Sequence, residues 1–116
     1  MATQVFYTPN TVAVSLNAVT GTANGTSFAM PNYGRCPQPP TKFTWQMSYT
    51  GSPSGVSATL QGSIDGSTWF TLDTSTSTSG EVRVVINNPM KFIRIVLGTF
   101  TGGTNPTATG QFVAAE

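Results

Sequence analysis

Leu60-Gln-Gly-Ser-Ile-Asp-Gly-Ser-Thr-Trp-Phe-Thr-Leu72 decides how the rest of this chain is read. Leu60, Gly62 and Ile64 alternate with other residues, and Val56 and Ala58 carry the same face back to residue 56. A period of two marks a strand with one side buried. Asp65-Gly66 ends it with two residue types that accept unusual backbone angles, so the chain turns there. Thr68 to Leu72 returns as the second strand of a hairpin. Within that strand Trp69 and Phe70 are adjacent and point to opposite faces. Large aromatics dominate β cores, so Trp69 is placed inside, beside Trp45. The competing reading leaves an aromatic exposed here, to stack on a sugar or dock on a partner.

The same punctuation recurs on both sides of the hairpin. Val12, Val14 and Leu16 alternate over Thr11 to Ala18, and Asn24-Gly25 reads as a tight turn of positive φ. A short apolar piece follows at Ser27 to Met30. Residues 31–41 hold Pro31, Pro37, Pro39 and Pro40, cannot form a ladder, and read as a long Pro-rich loop or arm. Phe43, Trp45, Met47 and Tyr49 form the heaviest apolar face, which places that strand centrally. Thr74 to Gly80 is a Ser/Thr tract, read as an exposed loop. Glu81 to Asn87, Lys91 to Gly98 and Ala108 to Ala114 complete about eight strands. No segment repeats apolar residues at helical spacing. The expected fold is all-β: one antiparallel β-sandwich domain over residues 1–116, with 1–10 as an N-terminal extension.

Composition agrees with strands and narrows function. Thr and Ser together supply 31 of 116 residues, and charged residues only 8%, against roughly 25% in ordinary soluble domains. Net charge is +1, and Arg35, Lys42, Arg83, Lys91 and Arg94 are scattered. A nucleic-acid partner needs clustered cations to displace phosphate counterions, so none is expected. The chain has no apolar stretch of membrane-spanning length, so no membrane partner is expected. Nor does its start carry the basic and apolar segments of a signal peptide, which places synthesis in a cytoplasm.

Chemistry is poorly supplied. The chain has no histidine and one cysteine. The usual general base and the commonest metal ligand are therefore missing, and no internal disulfide is open to it. Cys36 is read as a loop residue packed against the body. Four carboxylates remain, Asp65, Asp73, Glu81 and Glu116. Asp65 is explained by its turn, and Asp73 and Glu81 flank the Ser/Thr tract, a poor platform for precise geometry. No enzyme, cofactor or metal site is expected.

The hairpin Leu60 to Leu72, followed by Lys91-Phe-Ile-Arg-Ile95, resembles the discoidin-like (galactose-binding-like) jelly-roll sandwich. The tail Leu97-Gly-Thr-Phe-Thr-Gly-Gly-Thr-Asn-Pro-Thr-Ala-Thr-Gly-Gln-Phe-Val-Ala-Ala115 resembles the ends of small tailed-bacteriophage virion proteins. Together these matches cover roughly residues 56–115. The first implies the fold, with Asp65, Gly66, Trp69, Trp45 and Arg94 as hairpin and core residues; Arg94 would help hold the sandwich together. The second implies a virion part made in the host bacterial cytoplasm. Its reading here is a capsid decoration (cement) protein, a homo-oligomer with a trimer favoured, contacting the major capsid protein or other virion proteins. Tyr33, Arg35, Pro37, Pro39 and Pro40 are the expected contacts, because prolines stiffen the loop and Tyr and Arg suit interfaces. The competing function is a carbohydrate-binding module of a tail fibre or other receptor-binding tail component, with an exposed aromatic as platform.

Overall fold

A computed structural model describes residues 5–8, 11–30, 40–86 and 88–115. In chain order the strands are β1 Val5–Phe6, β2 Ala13–Val19, β3 Ala23–Asn24, β4 Phe28–Ala29, β5 Lys42–Thr50, β6 Gly55–Ser63, β7 Phe70–Ser75, β8 Glu81–Val85, β9 Phe92–Thr101 and β10 Thr107–Ala115. Two sheets form, one in the order β1-β4-β9-β6-β7 with β3 also on β9, the other β2-β10-β5-β8. All pairings are antiparallel except β1 with β4. Without the two-residue strands β1 and β3, the remaining eight follow the strand order of a jelly roll. The all-β sandwich read from the alternating pattern is the fold.

The core lies between the sheets. Phe43, Trp45 and Met47 of β5, with Phe112 of β10 and Leu16 of β2, face Leu60 of β6 and Ile93, Ile95 and Leu97 of β9. Phe112 is the aromatic hub. Phe28 meets it edge-on at 5.4 Å, and Tyr7 stacks on it at 5.8 Å. Tyr7 and β1 thus build part of the body from within the expected N-terminal extension, 1–10. The Tyr7 hydroxyl also donates to the Thr11 carbonyl at 2.7 Å and accepts from the Ala114 amide at 3.0 Å.

Strand β2 departs from simple alternation. Leu16 lies opposite Gly110, yet Val14 lies opposite Gln111, so β2 holds one extra residue there. This bulge turns both Ser15 and Leu16 inward and leaves Val12 and Val14 outside. The expected Val12-Val14-Leu16 face is therefore split between the two sides. Ser15 has a task at the bulge. β3 covers β9 at Leu97 and Val96, and β4 covers it at Ile93 and Phe92. Between them the Ile95 amide donates to Ser15 Oγ at 2.9 Å, while the Gly25 amide donates to the Ile95 carbonyl at 2.8 Å. Ser15 Oγ in turn donates to the Thr26 carbonyl at 2.8 Å. One hydroxyl stitches the two sheets together.

Other expectations are corrected by burial. β6 ends at Ser63, and Ile64 is 74% exposed because the turn has begun. The Ser/Thr tract is only partly a loop: β7 runs through Thr74 to Ser75, whose buried hydroxyl donates to Glu81 Oε1 at 2.6 Å. Pro40, expected at a partner contact, is fully buried and has no face to offer. Trp69 is not in the core; it precedes β7 and is half-buried against Arg94. Its neighbour Phe70 is exposed, so neither ring of the pair enters the core.

Candidate functional surfaces

The carboxylates come first, because any catalytic site in this chain would need them. β7 and β8 are edge strands of different sheets, and their side chains meet across the open side of the sandwich. Arg83 Nε donates to Asp73 Oδ2 at 2.7 Å, and its Nη1 donates to Glu81 Oε1 at 3.3 Å. The fully buried Trp45 gives its indole N–H to Asp73 Oδ2 at 3.1 Å. Burial pushes the Asp73 carboxyl up. The Arg83, Trp45 and Thr74 hydrogen bonds outweigh it, and the group sits below its usual range. Its hydrogen bond and charge raise the Arg83 guanidinium in return. Asp73 and Glu81 flank the tract, and across it they converge on an arginine that closes a seam. Nearby, burial and then the Glu81 charge push the Tyr49 hydroxyl up; it has no partner among the described residues.

The Asp65 turn is built as its sequence suggests. Asp65 Oδ1 accepts from the Ser67 and Thr68 amides, both at 2.8 Å, and from Ser63 Oγ at 3.1 Å. Ser63 Oγ accepts from the Gly66 amide at 2.9 Å, and Gly66 takes φ +80°. The Thr68 and Ser67 amides, then the Ser63 hydroxyl, hold the Asp65 carboxyl down to about 2. Asp65 and Asp73 both titrate lower in the folded chain than the ordinary unfolded value of about 3.9. Their ionised forms therefore stabilise the fold above about pH 4, and that stabilisation is lost as pH falls below it, for Asp65 toward about 2. Thermal melts from pH 5 to pH 2 are expected to show a falling midpoint, and a shallower fall in Asp65→Asn, which keeps the acceptor but not the titration. Parallel slopes would show that Asp65 contributes nothing.

Beside this turn the outer side of the larger sheet carries a depression of about 320 Å³. Trp69, Phe92, Arg94, Asp65-Gly66, Asn24 and Ser27 line it. The Arg94 guanidinium lies 4.2 Å from the Trp69 ring centre, and its Nε donates to Gln61 Oε1 at 2.9 Å. Burial lowers the Arg94 pKa. Arg94 thus ties the turn to β6 and β9.

The outer side of the four-stranded sheet is different. Register places Val14, Gln111, Gln46 and Val82 in one row across it, and Val113, Thr44 and Val84 in the next. Val12 and Ile86 extend the apolar surface at either end. Val84 is 63% exposed, Val82 61% and Val12 57%. A shallow trough of about 120 Å³ runs between Val12, Val113 and Val82. Strand β8 is divided: its charged Glu81 and Arg83 turn toward the seam, Val82 and Val84 face out, and Val85 is buried in the core. Among the described residues, its second edge carries no neighbouring strand. Between Val14 and Val82 the Gln46 Nε2 donates to Gln111 Oε1 at 3.1 Å, so the valines flank a polar pair.

Sequence reasoning missed this face. The alternation of Glu81-Val-Arg-Val-Val85 was visible, but the usual rule turns valines inward. Tyr33, Arg35, Cys36, Pro37 and Pro39 lie outside the described residues. Among the described residues, no three Cys, Asp or Glu side chains cluster to hold a metal ion, and no helix is long and apolar enough to cross a membrane.

No family model matches the chain, and no curated protein matches it. Solved structures do match it, two of them as follows. The SPBc2 prophage-derived protein YomS superposes with a TM-score of 0.65 at 12% identity, covering 96% of this chain and 98% of that one. A family 29 carbohydrate-binding module gives a TM-score of 0.41 at 10% identity, over 90% and 88% of the two chains. The first likeness spans both chains nearly end to end and shows a common fold; the second is too loose to show one.

Proposed function

We propose that this chain is a non-enzymatic structural protein of a bacteriophage particle: a capsid decoration protein that self-associates and seats on major capsid subunits. The observation that carries this reading is the valine-rich outer face of the β2-β10-β5-β8 sheet, which ends at an edge of β8 that is unpaired among the described residues. Burying apolar area contributes about 25 cal/mol per Å², and an edge strand adds backbone hydrogen bonds to whatever docks on it. Neutral, hydroxyl-rich surroundings suit copies packed side by side, since a net charge of +1 gives them little to repel. The likeness in fold to a prophage-derived protein supports the same setting.

The test is to mix purified protein with empty, expanded capsids of the phage that encodes it. Binding at a copy number matching the major capsid protein, with a raised capsid melting temperature, is the expected result. Sedimentation of the free protein is expected to show a trimer. Neither binding nor a thermal shift would end the decoration reading, and a few copies per particle would move the protein to the tail.

A further inference from the structure

We infer that β8 pairs with β8 of a second copy across a twofold axis, antiparallel and centred on Val82, so that two four-stranded sheets run on as one. The inference rests on the reading above that copies of this chain associate, and it names one contact between them.

The other sheet edges are closed to a newcomer. On β7 the Thr74 amide is already taken by Asp73 Oδ1 at 2.9 Å. On β2 the Ser15 carbonyl is taken by the Thr26 amide at 2.8 Å, and β1 is only two residues long. Among the described residues, the β8 backbone from Glu81 to Val85 makes no hydrogen bond except to β5. What guards β8 is its pair of inward charges, since a strand laid beside them would bury charge against groups that do not match.

A second β8 does match. With the pair centred on Val82, Glu81 stands opposite Arg83 of the partner subunit, and Arg83 opposite the partner's Glu81. Each Arg83 already holds its own Glu81 at 3.3 Å, so the four charges alternate in sign around a ring. Arg83 spends Nε on Asp73 and Nη1 on Glu81, which leaves Nη2 without a partner among the described residues. Both side chains are accessible from the edge, Arg83 at 39% and Glu81 at 31%. Moving the centre one residue on, to Arg83, would set arginine against arginine, and like charges directly opposite destabilise a pair.

The remaining side chains fit the same register. On the outer face Val82 meets Val82 of the partner subunit, and Val84 lies against the partner's Gly80, which has no side chain to obstruct it. In the other sheet, the Asp73–Arg83 and Ser75–Glu81 contacts put Thr74 level with Val82. Thr74 is small and exposed, so β7 does not bar the approach. A twofold contact cannot close a threefold ring. The pairing therefore links copies of neighbouring trimers, and its ladder, confined to Gly80 through Val84, forms where copies are crowded.

Cross-linking reads the register directly. Residues opposite one another in an antiparallel pair have Cα atoms about 4.5–5.5 Å apart, within the roughly 4.4–6.8 Å that a disulfide spans. Val82→Cys is made in a Cys36→Ser background, so that it carries the only thiol. The protein is concentrated, oxidised with copper phenanthroline and run on non-reducing denaturing gels. A disulfide-linked dimer is expected, forming at least about tenfold faster than from Val84→Cys. Val84 is as exposed as Val82, but in this register its two copies lie roughly 13 Å apart along the strands. Adding Glu81→Lys to the Val82→Cys chain sets lysine opposite arginine and is expected to slow the cross-link at least about fivefold. Sodium chloride, which leaves the sequence untouched, is expected to slow it as well. Equal rates from positions 82 and 84 would overturn the pairing. So would a mixed 82–84 disulfide as the main product when the two cysteine variants are combined, or a rate unmoved by both Glu81→Lys and salt. Capsid binding without the Val82 cross-link removes the pairing and keeps the decoration reading; the cross-link without capsid binding does the reverse.

Discussion

Gly25→Ala is expected to lower the melting temperature by roughly 10–20 °C, while Gly21→Ala, four residues earlier, leaves it unchanged or slightly higher. A Cβ on Gly25 would stand 2.3 Å from Ser15 Oγ, 2.4 Å from the Ile95 carbonyl oxygen and 2.7 Å from that of Ser15. Two of these are backbone atoms of different sheets, so no rotamer change relieves the overlap. The chain around residue 25 must back away from β9. It then gives up the Gly25 amide bond to Ile95, the Thr26 amide bond to Ser15 and the Ser15 bridge to the Ile95 amide. Overpacking and unmet buried groups together should cost about 3–5 kcal/mol, a large share of the roughly 5–15 kcal/mol that holds a typical domain folded. At Gly21 an added Cβ meets nothing within 4 Å. Paired melts of the two variants check the claim; a Gly25→Ala midpoint within a few degrees of the native one would show that the two sheets do not close on this residue.

Gly25 also shows what a sequence conceals. Asn24-Gly25 was readable as a place where glycine mattered, but the expected reason, a turn of positive φ, is not the one found. The residue is required because Ser15 and Ile95, 10 and 70 positions away in the chain, converge on it. Local rules transmit well where the cause is local. Asp65-Gly66 reads as a turn because its own side chain and backbone make it one, and the β5 pattern reads as a central strand because every second side chain is large and apolar. They fail where an element's partner decides. The bulge at Ser15 reverses the face of β2, and Asp73, opposite β8, draws Arg83 toward the seam while Val82 and Val84 face the surface. Trp69 leaves the core for a similar reason: it precedes β7, and Arg94 from β9 takes its ring. Both candidate surfaces depend on such long-range pairings, which is why the strands were legible and the sites were not.

Placing two lysines on the exposed edge, as Val82→Lys with Val84→Lys, is expected to abolish particle binding and self-association while leaving the fold intact. Both side chains point to solvent on an edge strand, where lysine is a residue type that natural sheets use to keep edges apart. Their cost to the isolated chain should stay near 0.5 kcal/mol each. In a packed interface the same ammonium groups would be stripped of water opposite apolar partners, and affinity should fall by at least about 100-fold, or 2.7 kcal/mol. Val82→Thr with Val84→Thr keeps the shape and the strand preference and adds only hydroxyls, so it should bind more weakly than the native chain but far better than the lysine pair. Sedimentation, capsid pull-down and melting curves on the same preparations separate the effects. Native melting with lost assembly assigns the contact to the β2-β10-β5-β8 face. Undiminished assembly in the lysine variant would mean that the valines are bystanders and that the particle contact lies elsewhere on the chain.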